Sequence, residues 1–363
     1  MEAAPGSLVE PRRCVGGEHR RRFTHGLGSF AVSHPALTHL ARSGCALALL
    51  LLAACGSGQR DAFVDSRPPP DLAERFYPPE NWAWGQVQPE GGPIQRYGVS
   101  APSVGSKADV LIVPDYGETA ETWFETTRDL NAAGYTVWVL EGVGQGGSAR
   151  LTGRRDLGEL HSFDGDVSGV RGMIDVVIRP APGRRLLLLG QGVGALIAAR
   201  VVETGAATAG LLLSAPRCAP ATPAGTLVYV GLGGLRAPGG DAWARTGPDD
   251  FAAHRTHDPW RGAVTHAWQI ANPDLRLGGP SLNWQAALAR LQRDAEAGAG
   301  RLKAPTLLLD DGKPRACLAP PVAVRRSLVG ADPALELEDD RWRAPWLAAV
   351  LAFIGDLKPS PSG

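Results

Sequence analysis

The chain has 363 residues, and its basic and acidic side chains balance, with Lys+Arg and Asp+Glu both at 37. A formal charge of zero provides no field that would favour DNA or RNA, so binding to nucleic acid is not expected. Hydrophobic residues at 44%, with 46 glycines and 30 prolines, are typical of a globular protein rich in turns and exclude a disordered chain.

The first distinctive feature along the chain is an unbroken apolar run from Cys45 to Cys55. The run is shorter than the roughly 20 residues that cross a bilayer. Its length, with His39 and Arg42 ahead of it, is typical of a secretory signal peptide. Its end, LAACG at residues 52–56, resembles the lipobox of bacterial lipoproteins, in which the cysteine is lipidated and becomes the new amino terminus. The alternative is a fragment of a buried helix, which the polar sequence after Cys55 disfavours.

We therefore expect residues 1–54 to be a lipoprotein signal peptide and Cys55 to carry the lipid. Residues 1–31 are longer and richer in arginine than a signal needs, which suggests a later translation start. An acylated Cys55 would anchor the protein to a membrane of the bacterial cell envelope. Residues 55–80 combine Gly, Ser, charges and a Pro triplet, a composition that indicates a semi-extended tether.

Beyond the tether, short β-rich apolar runs alternate with longer helical patterns, which is typical of a parallel sheet covered by helices. The predicted strands are Trp82–Val87, Ile94–Val99, Val110–Val113, Thr136–Leu140, Leu186–Leu189, Gly210–Leu213, Thr306–Leu309 and Leu335–Leu337. The predicted helices are Glu121–Ala133, Phe163–Ile178, Val193–Glu203, Val322–Leu328 and Pro345–Leu357. The pattern predicts one mostly parallel, eight-stranded α/β domain.

One stretch interrupts this alternation. Residues 217–302 contain Gly/Pro-rich loops and a helical pattern at Asn283–Glu296. We interpret the stretch as a cap inserted above the sheet, because lids over active sites are commonly built from such insertions. Residues 81–216 and 303–357 would then form the core of the domain.

Several separated motifs resemble the α/β-hydrolase fold. They are PDYGE at 114–118, EGVGQGGS at 141–148 and GQGVG at 190–194, each following a predicted strand. In the insertion, THDPWR at 256–261 and NPDLRLGGPSLNW at 272–284 are similar to a cap motif of bacterial lysophospholipases, which are relatives of monoacylglycerol lipases. The resemblance covers about residues 80–357 and implies descent from a serine esterase of lipids.

The residues at the chemical positions depart from that family. Its nucleophile is the serine of Gly-X-Ser-X-Gly on a tight strand-to-helix turn, and here Gly192 stands at the centre. Glycine accepts the positive φ of such a turn, so the turn can be retained without its hydroxyl. In the oxyanion loop, Asp115 replaces a glycine whose neighbour, here Tyr116, donates a backbone N–H. A carboxylate there would repel an oxyanion. We expect the pocket at Asp115, Tyr116, Gln191, Gly192 and Val193.

The acid and the base of a triad are also missing at the positions that the resemblance implies. The acid position falls on Pro314, and Asp310 or Asp311 would be substitutes only if the alignment shifted. The general base should be a histidine after the last strand, but no histidine follows His266. The acidic residues between Ala334 and Trp346 cannot replace an imidazole near neutral pH.

The remaining cysteines and histidines allow a few other sites. Cys218 and Cys317 would follow neighbouring strands at one edge of the sheet of this fold, so a disulfide between them is expected; the alternative is a nucleophilic Cys317. The histidines after Cys55 are His161, His254, His257 and His266, and their spacing matches no zinc motif. We expect neither a metal nor a cofactor.

These observations predict a lipid-anchored, non-catalytic relative of lysophospholipases that binds a lysolipid, a fatty acid or a similar amphiphile under its cap. Tryptophans in the stretch Trp260–Trp284 would either line an acyl groove or pack in the core. Two alternatives remain open. One is an active hydrolase of lysophospholipids or monoacylglycerols that uses other catalytic groups, and the other is a scaffold for an envelope protein.

Overall fold

The computed structural model of the chain describes residues 62–63, 65–220, 224–246, 255–313 and 317–358. The predicted signal peptide, Cys55, His254 and Pro314 lie outside the described residues. Among those described, no helix is both long and apolar enough to span a bilayer.

The core is one eight-stranded sheet. Its strands are β1 (Ala83–Val87), β2 (Gln95–Ser100), β3 (Ala108–Val113), β4 (Tyr135–Leu140), β5 (Leu186–Gln191), β6 (Gly210–Ser214), β7 (Thr306–Asp310) and β8 (Ala323–Ser327). They lie in the order β1-β2-β4-β3-β5-β6-β7-β8. β2 pairs antiparallel with both β1 and β4, and all pairs from β4 to β8 are parallel. The predicted mostly parallel eight-stranded sheet is confirmed.

Helices cover both faces of this sheet. They are α1 (Phe124–Ala132), α2 (Asp164–Gly172), α3 (Val193–Glu203), α4 (Ala224–Tyr229), α5 (Pro259–Ala271), α6 (Leu282–Gly298) and α7 (Asp340–Asp356). A π-helical turn at Met173–Ile178 extends α2. Short 3₁₀ turns occupy Glu74–Phe76, Ala120–Trp123, Pro273–Leu275, Ala299–Arg301 and Leu335–Leu337.

Alternation along the central strand β5 divides the core into two layers. Leu186 and Leu188 pack in one buried cluster with α3 and α6, whereas Leu187 and Leu189 pack in another with α7. All four leucines are fully buried. This burial on both faces explains why β5 reads as a continuous apolar run rather than as an alternating one.

Two predicted elements near the C-terminal end were wrong. Leu335–Leu337, predicted as a strand, is a buried 3₁₀ turn. The predicted helix Val322–Leu328 is instead the edge strand β8, which pairs with β7. Most of β8 is exposed, so its sequence carries little of the apolar signal that identifies a strand, and pairing with β7 determines its conformation.

The insertion between β6 and β7 contains a helix that the sequence analysis missed. The side chain of Asp258 caps the amino terminus of α5 by accepting from the N–H groups of Trp260 and Arg261, and Pro259 occupies its first turn. These are standard start signals of a helix. The predicted helix Asn283–Glu296 corresponds to α6.

Residues 62–63 and 65–80, within the segment expected to be a tether, pack against the domain. The N–H of Phe63 donates to the carbonyl of Gly147, and the Arg67 backbone exchanges two hydrogen bonds with the Asn272 side chain. Phe76 is 3% exposed and joins a cluster with Phe124. Buried aromatic rings stabilise this segment on the surface, which its Pro- and charge-rich composition did not indicate.

A disulfide joins Cys218, just after β6, to Cys317, in the loop between β7 and β8. The two cysteines are 99 residues apart, and the loop that they close contains nearly all of the insertion. A closed loop of this length restricts the unfolded chain strongly, so the bond stabilises the fold mainly by lowering the entropy of the unfolded state.

We expect the double variant Cys218→Ala/Cys317→Ala to lose about 2–5 kcal/mol of unfolding free energy, because a long loop is freed in the unfolded state. Urea titration followed by circular dichroism measures the change. Reducing agent should destabilise the native chain by the same amount and leave the variant unaffected. Equal stability of both proteins under oxidising conditions would contradict the expectation.

Candidate functional site

The turn between β5 and α3 places Gly192 at the carboxyl edge of the sheet. Gly192 has φ 57° and ψ −114°, a backbone conformation that residues other than glycine adopt only with strain. Its neighbours Gly190 and Gly194 allow the turn to close, since a Cβ on Gly194 would overlap the backbone of Val113. The geometry is that of a nucleophile elbow, and Gly192 supplies no side chain to it.

The carboxylate of Asp115 fills the space in front of Gly192. A Cβ built on Gly192 would overlap this carboxylate. Asp115 Oδ1 accepts from the N–H of Val193 at 2.9 Å and from the N–H of Tyr116 at 2.7 Å. These are the two backbone donors that an α/β-hydrolase directs at the oxyanion of its intermediate. The oxyanion hole is therefore formed, but the protein's own carboxylate occupies it.

Two arginines from the insertion neutralise this carboxylate. Arg217 donates to both oxygens of Asp115 through Nε at 3.0 Å, and its Nη2 makes a further ion pair with Oδ2. Arg255 Nη2 donates to Asp115 Oδ2 at 2.8 Å and to Glu118 Oε1 at 3.0 Å. The insertion is thus held to the core by charges that meet in front of Gly192.

The electrostatics of Asp115 favour its ionised form. Burial alone would raise the pKa of Asp115, but Arg217 and Arg255 outweigh burial and hold this pKa below its usual value. An ionised carboxylate that accepts several charge-assisted hydrogen bonds is oriented firmly. A substrate carbonyl would have to displace it to reach the N–H of Val193.

A second carboxyl group lies beside this cluster without a partner. Glu336, in the 3₁₀ turn before α7, is 1% exposed, and neither side-chain oxygen makes a hydrogen bond. Burial, reinforced by the nearby Glu118, raises the pKa of Glu336 well above its usual value. Burial also raises the pKa of Glu118, although Arg255 opposes the shift. The environment of Glu336 therefore disfavours its ionised form, although the charge of Arg255 opposes this shift of its pKa.

A cavity of about 310 Å³ opens beside Asp115 at the carboxyl ends of β6, β7 and β8. Charged side chains of both signs line it as pairs: Arg325 Nε contacts Asp310 Oδ2 at 2.5 Å, and Lys313 Nζ lies 3.2 Å from Asp311 Oδ2. Its apolar lining consists of Ala215, Pro216, Leu308, Leu318, Pro333 and the disulfide. The cavity thus combines a charged rim with a small apolar wall.

The two aspartates considered as substitute acids, and the loop in which a base would lie, can be located in the structure. Asp310 and Asp311 line the cavity but are paired with Arg325 and Lys313. From the loop between β8 and α7, Pro333 is the residue that faces the cavity, and its carbonyl accepts from the amide of Gln191 at 2.7 Å. No histidine among the described residues lines the cavity.

The described histidines serve other contacts. His257 Nδ1 lies 2.8 Å from Glu338 Oε1, and its ring stacks on Trp342 with centroids 4.6 Å apart. The hydrogen bond that His257 donates to the Glu338 carboxylate raises the pKa of His257. His257, Glu338 and Asp332 lie close enough to share a cation. Glu338, however, already accepts four further hydrogen bonds, from the N–H groups of His257, Asp332 and Asp339 and from the Thr256 hydroxyl.

The tryptophans of the insertion do not form an acyl groove together. Trp268 is buried against Phe124, and Trp284 is buried against Tyr116 and Phe163. Trp260 is 75% exposed. Core packing therefore accounts for Trp268 and Trp284.

The pocket residues expected from the sequence all lie at one edge of the sheet: Asp115, Tyr116, Gln191, Gly192 and Val193. The sequence did not predict that four charged residues, Arg217, Arg255, Glu118 and Glu336, complete this cluster. The sequence did indicate that Asp115 needs cationic partners, because an aspartate at a position where the family has a buried glycine must be neutralised. Which arginines provide them could not be read from the chain.

The helix-covered sheet, the glycine elbow and the paired N–H donors define the α/β-hydrolase class. The chain belongs to the family described as serine aminopeptidase, S33, whose model matches residues 105–355. Lysophospholipase L2 of Escherichia coli is 26% identical over 290 residues, which cover 70% of this chain and 82% of the relative. The predicted resemblance to lysophospholipases and monoacylglycerol lipases is confirmed at the level of the family.

Solved structures share this fold at low sequence identity. A soluble variant of monoglyceride lipase from Saccharomyces cerevisiae matches with a TM-score of 0.58 and 16% identity, over 80% of this chain and 98% of that one. The monoacylglycerol lipase of Paleococcus ferrophilus matches with a TM-score of 0.52 and 20% identity, over 70% and 97% of the two chains.

We expect Asp115→Ala to destabilise the protein by about 3–5 kcal/mol, because it leaves buried Arg255 without one of its two carboxylate partners. The stabilisation that Asp115 contributes should be complete at pH values above the usual pKa of an aspartate. It should decline as the pH falls through the lowered pKa of Asp115. Denaturant titrations at several pH values measure both effects. Asp156→Asn, which removes a partly exposed pair with Arg236, should cost less than about 1 kcal/mol.

We expect Glu336→Gln to stabilise the protein at neutral pH, because it removes a carboxyl group whose ionisation is unfavourable in the folded state. The pKa of Glu336 is higher in the folded state than in the unfolded state. The free energy of unfolding therefore falls as the pH rises from the pKa of the unfolded state toward that of the folded state. The variant should therefore unfold at a temperature a few degrees higher at pH 8 and at an equal temperature at acidic pH. The exposed control Glu74→Gln should leave the pH dependence unchanged.

Proposed function

We propose that this protein is a membrane-anchored, non-hydrolytic relative of the lysophospholipases that binds an amphiphile, such as a lysolipid or a fatty acid, under its cap. The observation that carries the proposal is the position of the Asp115 carboxylate. It accepts from the N–H groups of both Val193 and Tyr116, so the donors that would stabilise a tetrahedral intermediate are already engaged. The family relationship supplies the class of ligand.

Three features around Asp115 support loss of hydrolysis: the nucleophile position, the groups that face it and the oxyanion hole. Gly192 provides no hydroxyl or thiol, so no acyl-enzyme can form at the elbow. The groups that face the elbow are carboxylates paired with arginines rather than an imidazole. The oxyanion hole, which supplies much of the residual rate of triad variants, is filled.

The cavity beside Asp115 supports binding of a polar head group. Ion pairs of both signs at its rim suit a zwitterionic or anionic head, and the wall of Leu308, Leu318 and Pro333 suits the first carbons of an acyl chain. The anchoring part of the proposal rests on the lipobox-like sequence that ends at Cys55. A firm membrane attachment would place the cavity near a pool of amphiphiles.

We expect the native chain and Gly192→Ser both to be inactive in an esterase assay across acyl-chain lengths. A fluorophosphonate probe should label neither protein. The added side chain would collide with Asp115, so Gly192→Ser should also be less stable, and Gly192→Ser/Asp115→Gly should relieve this clash without restoring hydrolysis. Hydrolysis by the native chain, or covalent capture of one of its serines, would overturn the proposal and favour the active-hydrolase alternative.

We expect lipid extracts of the purified full-length protein to contain one dominant amphiphile beyond the anchor. Mass spectrometry of the extract identifies it, and titration with a lysolipid or a fatty acid gives the affinity. Arg325→Glu, at the rim of the cavity, should weaken binding by about tenfold, whereas the exposed control Arg341→Glu should not. Absence of any bound or titratable amphiphile would favour the scaffold alternative.

A further inference from the structure

A second and larger depression lies at the opposite edge of the sheet from Asp115. It has a volume of about 800 Å³ and lies where β6 and β7 begin, between the C-terminal ends of α3 and α7. None of the residues that line it lines the cavity beside Asp115. We refer to it as the amino-edge groove, and nothing in the family relationship assigns it a role.

The floor of the amino-edge groove is apolar. Its apolar lining residues are Val202, Ala206, Ala207, Ala209, Ala304, Pro305, Phe353 and Leu357. Gly210 lets the floor close, since a Cβ there would overlap the side chain of Leu357. A volume of several hundred Å³ with an apolar floor is typical of a site for a small amphipathic ligand.

The rim of the amino-edge groove carries a surplus of positive charge. Lys303 and Lys358 are exposed and form no ion pair with the described part of the chain. Glu203 is already paired with Arg301 and with Arg200. The exposed Asp356 is the one other acidic residue on the described rim, so the two lysines leave the rim net positive.

A polar group inside the amino-edge groove also lacks a partner. Thr208 lines the groove and is 8% exposed, and its hydroxyl makes no hydrogen bond within the described structure. A buried hydroxyl without a partner costs free energy. This hydroxyl is closed off from solvent, so an oxygen of a bound ligand would satisfy it only after a local rearrangement of Thr208.

We propose that the amino-edge groove binds a single-chain anionic amphiphile, such as a fatty acid. The acyl chain lies on the floor beside Phe353 and Leu357, and the anionic head lies between Lys303 and Lys358. Charge complementarity selects this occupant, because a neutral chain would leave the two lysines unpaired and an inorganic anion would leave the floor exposed.

Photoreactive palmitate bearing a diazirine tests this proposal on the full-length protein. After irradiation, peptide mapping should locate the label on residues of the amino-edge groove. Label confined to peptides of the Asp115 cavity would overturn the proposal while supporting the proposed function. Label in the groove alone would support this inference and remove support for a fatty acid at the first site.

Variants of the groove give a quantitative test with the same probe. Lys303→Glu/Lys358→Glu should weaken palmitate binding by about tenfold through charge reversal. Ala304→Trp should abolish labelling of the groove by filling it. Arg341→Glu, which changes an exposed arginine at the opposite end of α7, should have no effect. Thermal unfolding of each variant establishes that it folds.

The head group is tested separately with the methyl ester of the same probe. It has the same chain without the charge, so its affinity for the groove should be about tenfold lower than that of palmitate. Equal affinities of the acid and the ester would overturn the assignment of Lys303 and Lys358. Saturation by anionic vesicles but not by monomeric palmitate would overturn the single-chain occupant in favour of a membrane surface.

Discussion

The arrangement of the site depends on one contact, the carboxylate of Asp115 seated between two backbone N–H groups. In a serine esterase of this fold, such donors point at a charge that exists only briefly on the substrate. Here the charge is permanent and covalently part of the chain. Because a buried carboxylate needs cations, Arg217 and Arg255 converge on it from the insertion. These ion pairs hold the insertion and the core together.

This substitution also explains why the elbow can be retained without a nucleophile. Gly192 tolerates its backbone conformation, and the surrounding glycines allow α3 to pack close to β3 and β5. The turn is therefore stabilised by packing. A glycine at the centre also leaves room for the Asp115 carboxylate. The two departures from the family pattern are physically complementary, which neither residue reveals alone.

Sequence reasoning predicted the elements whose burial is complete. β5, β6, β7 and α3 were placed within a residue or two, because buried strands and helices carry strong apolar patterns. It failed at β8, whose exposed side chains leave no such pattern, and at α5, whose capping signals lie among Gly/Pro-rich loops. Conformations set mainly by pairing with a neighbouring strand are not encoded locally.

The same limit applies within the site. The residues of the turns after β3 and β5 could be assigned, since the motifs around them are contiguous. Arg217 and Arg255 lie 102 and 140 residues from Asp115 in sequence, and their pairing with it depends on how the insertion folds back. Glu336 was noted only as part of an acidic stretch, because its burial, and hence its raised pKa, is a property of the tertiary structure.

The bond between Cys218 and Cys317 has a consequence for a molecule whose backbone is cut by a protease. It closes a covalent ring around residues 219–316, so a protease that cuts once anywhere inside that ring leaves both fragments attached. A nicked molecule would keep its mass on a non-reducing gel and separate into two pieces only after reduction.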